Sequence, residues 1–120
     1  MINIEIQTRR FSLTEGLRQH VARRIEYALR SHRVWVDRVE VHLGDVNGPR
    51  GGADKVCRVI VRLQHLRALV ISDLGGDLYA VISSAAERAG RSVGRRMAHR
   101  IRTKRRLGMR FESRIQFAGA

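Results

Sequence analysis

Alternation of apolar and polar residues predicts four β-strands. Near the N-terminus Ile2, Ile4 and Ile6 alternate with polar residues, which is the period of a strand with one buried face. The same period recurs twice in the middle of the chain and predicts two further strands. Their apolar positions are Val39, Val41 and Leu43, and then Cys57, Val59, Val61 and Leu63. The run from Leu66 to Ile71 follows the third of these closely enough to form a hairpin, so we expect it to be the fourth strand.

Apolar residues at three- and four-residue steps predict two helices. Ser12 and Glu15 have the spacing of a capping box, and the helix that follows them extends to about Ser31. Its apolar face comprises Leu13, Leu17, Val21, Ile25, Ala28 and Leu29. The second helix runs from Asp77 to Arg106, with the apolar stripe Leu78, Ile82, Ala85, Ala89 and Val93. The order β-α-β-β-β-α predicts an α+β sandwich, with two helices packed on one face of a four-stranded, mostly antiparallel sheet.

The second helix also carries a row of basic side chains opposite its apolar stripe. This row comprises Arg88, Arg91, Arg95, His99, Arg102 and Arg106. Past Val93 the stripe ends, because Arg96 and Arg100 occupy the positions where core residues would fall, so we expect the helix to leave the core there. A solvated helix face normally mixes charges, whereas the stretch from 88 to 106 has nine Lys and Arg and no acid. The row therefore predicts phosphate contacts to RNA, with some stacking on unpaired bases.

Composition and charge support a polyanionic partner. The 120 residues suffice for one domain, and we expect it to span residues 1–106, with a short mobile tail over 107–120. The net charge of +13 and the pI of 11.7 are typical of proteins that bind nucleic acid or an anionic membrane. Residues up to Glu87 carry 13 basic and 10 acidic side chains, against 11 and one from Arg88 onward. The basicity is therefore concentrated on one arm, where about six phosphate contacts would give a logarithmic salt slope of about −4 to −5.

Catalytic, metal-binding and membrane-spanning patterns are absent from the sequence. The five histidines have no paired ligand spacing, and the single cysteine, Cys57, excludes an internal disulfide and falls at a core position of a strand. Acidic residues form no pair suited to acid–base catalysis, so we expect neither an enzyme nor a cofactor, metal or small-molecule substrate. No apolar run could span a bilayer and no signal peptide is visible, which predicts a cytoplasmic protein. The basic arm lacks a bulky apolar face for membrane insertion.

Several residues have two interpretations on sequence alone. Trp35 is a base-stacking platform or, as we expect, a lid over one end of the core. Tyr79 stacks on a base or packs at the start of the second helix, and Arg50 and Lys55 contact phosphate or belong to a solvated hairpin loop. Gly90 and Gly94 ease close packing or a bend. The alternation of Phe111, Ser113, Ile115 and Phe117 would allow an edge strand in the tail.

Three motifs in this order resemble the ribosome hibernation promoting factor family, ribosome-associated translation inhibitors also called ribosomal subunit interface proteins. They are the Ile2/Ile4/Ile6 strand, the Ser12-Leu-Thr-Glu15 box followed by Leu17-Arg18 and Val21, and the Asp-x-Tyr-x-x-Ile formed by Asp77, Tyr79 and Ile82. The resemblance covers about residues 1–100. Departures are Leu74-Gly75-Gly76 before Asp77, and Gly94, Met97 and His99 at positions that are often basic in relatives. A C-terminal dimerisation domain is absent, so the chain resembles a short form.

The resemblance implies binding to the small ribosomal subunit and its rRNA, in the channel of tRNA and mRNA, with inhibition of translation in stress or stationary phase. It implies a protein that is monomeric when free and binds RNA through basic residues of both helices. These are Arg18, Arg23, Arg24, Arg88, Arg91, Arg95 and Arg102. Two alternatives remain open: a double-stranded-RNA-binding module, whose α-β-β-β-α order matches the last five elements, and a structural ribosomal protein or assembly adaptor.

Overall fold

The described part of the chain folds as β-α-β-β-β-α, as predicted. The computed structural model describes residues 2–46 and 54–107. Its elements are β1 (Ile4–Arg9), α1 (Glu15–Leu29), a 3₁₀ segment (Arg30–Trp35), β2 (Val36–Asp45), β3 (Lys55–Leu63), β4 (Leu69–Gly75) and α2 (Leu78–Leu107). The sheet order is β1-β2-β3-β4, with β1 parallel to β2 and the other pairs antiparallel. The one parallel pair follows from α1, since a parallel connection requires a crossover.

The core lies between one face of the sheet and both helices. Val39 pairs with Val61 and Val41 with Val59 across β2 and β3, and all four are almost completely buried. The helices cover them with residues at three- and four-residue steps, which are Leu17, Val21, Ile25 and Leu29 of α1 and Val81, Ile82, Ala85, Ala86, Ala89, Val93 and Met97 of α2. The α+β class, with a mostly antiparallel sheet, is confirmed.

The start of α1 differs from the predicted capping box. The N-cap is Thr14, whose Oγ1 accepts a hydrogen bond from the Leu17 amide at 3.1 Å, and the helix begins at Glu15. Ser12 lies outside the helix, so the prediction that Ser12 and Glu15 cap each other is wrong. Both Ser and Thr cap well, and the Thr14–Leu17 spacing offers the same hydrogen bond two residues later. Glu15 remains in the first turn, where a negative charge is favourable.

The fourth strand lies later than predicted. β4 runs over Leu69–Gly75 instead of 66–71, because the turn includes His65 with a left-handed φ of 62°. Its pairing with β3 then continues to the far end of that strand, where Lys55 lies opposite Gly75. The length of the partner strand β3 thus sets where β4 ends, and the local sequence of β4 does not reveal it.

The second helix stays on the body of the protein longer than predicted. Met97 is only 5% exposed, so the core continues one turn past Val93. Arg96 and Arg100, expected to mark the exit, are half-buried and contact the body. From Ile101, which is 53% exposed, the described side chains lie at the surface, apart from half-buried Thr103. The prediction that the helix leaves the core at Val93 is therefore wrong by about one turn.

The two helices approach closely at Gly90. A Cβ atom built there would lie 2.6 Å from the carbonyl oxygen of Ala28, which is too short for any side chain. A Cβ at Gly94 would meet only the His32 Nε2, at 3.5 Å, an ordinary contact. Gly90 thus serves close helix packing, and α2 continues as one helix through both glycines. The predicted tail beyond Leu107 and the loop residue Arg50 lie outside the described residues.

Candidate nucleic-acid interface

The basic row of α2 starts against β4 rather than in solvent. Arg88 Nη1 donates to the backbone oxygen of Ser72 at 2.9 Å and lies 3.6 Å from Asp73 Oδ2. The hydroxyl of Ser84 also donates to Asp73 Oδ2. This hydrogen bond, together with the Leu74 amide and the Arg88 guanidinium, lowers the pKa of the Asp73 carboxyl below its ordinary value of 3.8. Arg88, whose side chain is 44% exposed, therefore connects α2 to the edge strand β4.

Arg91 and Arg95 are exposed, and both form their polar contacts with residues of α2 itself. Arg91 Nη1 lies 2.7 Å from Glu87 Oε1 in an i,i+4 ion pair whose side chains are both more than half exposed. Arg95 Nη2 donates to Ser92 Oγ at 3.0 Å. Glu87 lies directly before the acid-free stretch 88–106, so the basic row has an acidic partner at its start. Exposed ion pairs of this kind contribute little free energy, so a phosphate can replace the carboxylate at small cost.

Arg96 and Arg100 attach the far part of α2 to the body. Arg96 Nη1 donates to the backbone oxygen of Arg67 at 2.6 Å. The Arg100 guanidinium carbon lies 5.5 Å from the centroid of the Trp35 ring, a cation–π contact. Its Nη1 is buried and has no hydrogen-bond partner among the described residues. Sequence spacing could not reveal these contacts, because the residues involved are more than 25 positions apart.

Beyond Arg100 the helix presents cations to solvent. The side chains of Arg102, Lys104, Arg105 and Arg106 are exposed, and within the described ranges none has an ion pair or hydrogen bond. At 1.5 Å per residue, positions 101–107 extend about 10 Å. Like charges at four-residue spacing destabilise a helix, so this end gains stability when an anion neutralises it.

The predicted arginines of α1 fall on different sides of that helix. Arg24 lines the groove between the two helices together with Arg91, so the structure brings these two predicted residues to one site. Arg23 lies on the exposed surface of α1. Arg18 pairs loosely with Glu15 at 3.8 Å and is not among the residues that line the groove.

Ion pairs form around Glu40 on the open face of the sheet. Glu40 lies 2.7 Å from Arg62 and 3.3 Å from Arg38, and Arg38 also contacts Glu5. The hydrogen bond from Arg62 is the main reason why the pKa of Glu40 is lowered. At the base of the loop Lys55 Nζ lies 3.0 Å from Asp45, and this hydrogen bond is the main reason why the pKa of Lys55 is raised. Lys55 thus belongs to a structural ion pair.

The two aromatic residues considered as stacking platforms contact protein groups. Trp35 is 39% exposed and lies beneath Arg100, so it covers the end of the core only in part. Tyr79 is 44% exposed, and its ring centroid lies 4.8 Å from that of His20. His20 Nε2 is also 3.1 Å from the Tyr79 carbonyl oxygen and 3.0 Å from Ser83 Oγ. The most exposed aromatic side chain of the described residues is Tyr27, at 64%, which sequence reasoning missed.

Cys57 and the histidines form no reactive or metal-binding cluster. Cys57 is fully buried, and this burial raises the pKa of its thiol to about 12. Over residues 2–46 and 54–107, no group of three or more His, Cys, Asp or Glu side chains could hold a metal ion. Over the same ranges, no helix combines the length and the apolar composition that crossing a bilayer would require.

The fold and this surface define a class: a small α+β protein that carries exposed arginines on its helical side. The sequence pattern of the sigma 54 modulation protein / S30EA ribosomal protein family matches residues 4–102. The chain belongs to this family, which makes it a ribosome-associated modulation protein and not an enzyme. The resemblance recognised in the sequence is thereby confirmed. No curated protein sequence matches the chain.

Two solved structures share the fold. The N-terminal domain of Protein Y from Thermus thermophilus superposes with a TM-score of 0.60 at 23% identity, covering 78% of this chain and 96% of that one. A ribosomal subunit interface protein from Coxiella burnetii superposes with a TM-score of 0.69 at 11% identity, covering 81% of this chain and 99% of that one. At such identities the likeness concerns the fold.

Proposed function

We propose that this protein binds the small ribosomal subunit through rRNA of the tRNA–mRNA channel and inhibits translation, so that ribosomes hibernate in stress or stationary phase. It acts in the cytoplasm as a monomer and requires no cofactor. The observation that carries the proposal is the set of exposed, weakly engaged arginines on the helical side of a ribosome-associated protein. Its members are Arg23, Arg91, Arg95 and Arg102, with Lys104, Arg105 and Arg106 at the helix end, and half-buried Arg24 lines the groove between the helices beside them.

The charges favour phosphate as the ligand. Arg guanidinium groups pair bidentately with phosphate oxygens, and such charge-assisted hydrogen bonds contribute roughly 1.5–3 kcal/mol each. The exposed pair Arg91–Glu87 contributes far less, so exchange of the carboxylate for a phosphate is favourable. Arg88, Arg96 and Arg100 already bind protein groups, and they hold α2 in position for the exposed arginines. Of the predicted RNA-binding residues, Arg88 and Arg18 thus have the weakest support.

A plain RNA duplex is a poorer match for this surface. Modules that bind duplex RNA with this order of elements use the N-terminus of the last helix and its basic residues. Here Asp77 precedes α2, and its first ten residues, Leu78 to Glu87, contain no basic side chain. The unpaired and irregular segments of ribosomal RNA are the better ligand for arginines that lie along a helix.

Sedimentation and translation test the proposal together. The purified protein is mixed with separated small and large subunits and centrifuged, and we expect it to sediment with the small subunit. Added to a purified translation system, it is expected to lower protein synthesis in proportion to its occupancy. Full translation at saturating protein would contradict the proposal. Equally tight binding to a plain RNA duplex would favour the duplex-binding alternative instead.

A further inference from the structure

Tyr27 is an exposed aromatic residue in a strongly basic environment. Its side chain is 64% exposed, although an aromatic ring of this size gains free energy by burial. It lies two residues before the end of α1, with Arg23, Arg24 and Arg30 within four residues on the same helix or just past its end. The described structure therefore leaves the ring unburied, and the charges around it select a negatively charged partner.

The ring of Tyr27 is held in place on one side and borders two hollows. The guanidinium carbon of Arg30 lies 4.7 Å from the ring centroid, a cation–π contact that covers part of the ring. One hollow lies in the groove between the helices, where Tyr27 and Arg24 face Arg91. The other lies along α1, where Tyr27 is flanked by Arg23 and Arg33. A flat ligand has access to the tyrosine from these hollows and meets two arginines in the first and three in the second, against one carboxylate in each, Glu87 and Glu26.

The floor of the groove between the helices has almost no side chains. It consists of Ala28 and Gly90, where a Cβ atom on Gly90 would lie 2.6 Å from the Ala28 carbonyl oxygen. The groove is therefore shallow and lets a planar group approach the backbone beside the Tyr27 ring. Arg91 reaches the groove from α2 while its guanidinium pairs with Glu87 at the surface. The groove thus combines the Tyr27 ring, the Ala28–Gly90 floor and two arginines, Arg24 and Arg91. A nucleotide with an unpaired base fits this combination.

We infer that Tyr27 is a stacking platform for one unpaired base of single-stranded RNA, with Arg24 and Arg91 holding the phosphates on either side of it. Bases within a duplex are already stacked on each other and do not offer their faces, so the ligand is single-stranded. An apolar peptide would satisfy the ring but not the arginines. The inference deepens the proposed function and rests on it only for the identity of the natural RNA.

Three substitutions at one position test the stacking. The protein binds a fluorescently labelled short oligoadenylate, and affinity is measured by fluorescence anisotropy for the parent, Tyr27→Phe, Tyr27→Leu and Tyr27→Ala. Base–aromatic stacking predicts that Phe binds like the parent, whereas Leu and Ala bind roughly 5- to 150-fold more weakly. Leu keeps the apolar bulk without the aromatic face, so parent-like binding by Leu or by Ala would overturn the inference. The exposed site makes loss of fold unexpected, and circular dichroism checks it.

Two further measurements locate the contact. In proton NMR spectra of the protein with the oligoadenylate, we expect ring-current shifts at the Tyr27 ring protons. The ring protons of Tyr79, which packs on His20, are expected to stay unshifted. Unshifted Tyr27 protons would contradict stacking. Arg24→Gln and Arg91→Gln are expected to weaken binding to the oligoadenylate and to lower its salt slope by about 0.7 each, the value for one phosphate on a single strand. Unchanged salt slopes would show that Arg24 and Arg91 do not contact the phosphates.

Failure of this inference differs from failure of the proposed function. If Tyr27→Ala binds the oligoadenylate like the parent while the parent still sediments with the small subunit, the stacking is wrong and the ribosome proposal stands. If the parent binds the oligoadenylate through Tyr27 but does not sediment with the small subunit, the site is real and the ribosome proposal fails. A photo-crosslinker introduced at position 27 is expected to label rRNA, and labelling confined to a ribosomal protein would overturn the inference.

Discussion

Two stretches of α2 both carry arginines but have different surroundings. Over 78–100 the helix buries Val81 to Met97 at helical spacing, and Arg88, Arg96 and Arg100 each contact the body of the protein. Over 101–107 Ile101 is half exposed, and the basic side chains have no ion pair or hydrogen bond with the residues that the structure describes. The first stretch is held by packing and the second by helical hydrogen bonds alone.

The difference shows that regular spacing of arginines does not give them one role. Arg88 and Arg95 lie seven residues apart on the same side of the helix, yet Arg88 is bonded to Ser72 of the edge strand and Arg95 only to Ser92 of its own helix. The neighbouring element, and not the period, decides which guanidinium remains available. Substitutions meant to test RNA binding must therefore spare Arg88, since a Glu there would face Asp73.

Charge reversal of the available arginines should have the largest effect. The variant Arg91→Glu, Arg95→Glu and Arg102→Glu loses three phosphate contacts, and we expect affinity for the small subunit to fall by roughly three orders of magnitude or more. The salt slope should become less steep by about 2–3. A sedimentation assay over a range of salt concentrations measures both quantities.

A matched triple reversal on the sheet side is the control. Arg9, Arg10 and Arg58, which lie in the strands or directly after one, have exposed side chains without a partner among the described residues, and their change to Glu alters the net charge equally. We expect this variant to retain most of its binding, with a loss limited to long-range attraction. If both triples lose binding to the same degree, net charge rather than the helical surface drives association.

Truncation of the last apolar residues tests where the core ends. Met97→Ala removes a buried side chain and is expected to lower the free energy of unfolding by about 2–4 kcal/mol. Ile101→Ala, one turn later, removes a side chain that is 53% exposed, so its cost should stay within about 0.5 kcal/mol. Urea denaturation of both variants checks the pair. Equal costs would place the exit of α2 elsewhere.

The two glycines of α2 should respond in opposite directions. Gly90→Ala forces the helices apart at Ala28 and is expected to cost about 1–2 kcal/mol after its gain in helix propensity. Gly94→Ala has an ordinary contact with His32 and is expected to stabilise the protein by up to about 1 kcal/mol. Thermal melts compare the two, and stabilisation by both would exclude a tight helix contact at Gly90.

The smallest effect concerns pH and Asp73. The pKa of Asp73 is lowered in the folded state, chiefly by the Ser84 hydroxyl. Its carboxylate therefore contributes its full stabilisation above the ordinary pKa of 3.8, and this contribution is lost as the pH falls below that value. Asp73→Asn should therefore be less stable than the parent at about pH 6, with the difference shrinking towards about pH 3. Urea midpoints at several pH values measure it. A constant difference would exclude the carboxylate charge as the cause.

Periodicity predicted the fold because burial has the same period as the secondary structure. Val39, Val41 and Val59 alternate as a strand requires, and each is buried where the pattern predicted. Ends were predicted less well, since Thr14 competes with Ser12 as a cap and β4 takes its length from β3. Such choices depend on neighbours that the local sequence does not specify.

The candidate site could be predicted only as a set of cations. The sequence indicated the helical positions of Arg91, Arg95 and Arg102, but their contribution to RNA binding remains a prediction. It could not separate them from Arg96 and Arg100, whose partners are remote in the chain. Tyr27, the most exposed aromatic residue of the described part of the chain, was not among the predicted site residues. Contacts between elements, rather than patterns within them, assign these roles.

The single cysteine has a practical consequence. Cys57 lies near the start of β3 in the core, fully buried, and its thiol stays protonated because burial raises its pKa to about 12. Thiolate-directed reagents and oxidants reach it only when the helices separate from the sheet. The rate of its alkylation in the absence of denaturant therefore reports how often the native sandwich opens, with no added label. Slower alkylation in the presence of ribosomes would report how far binding suppresses that opening.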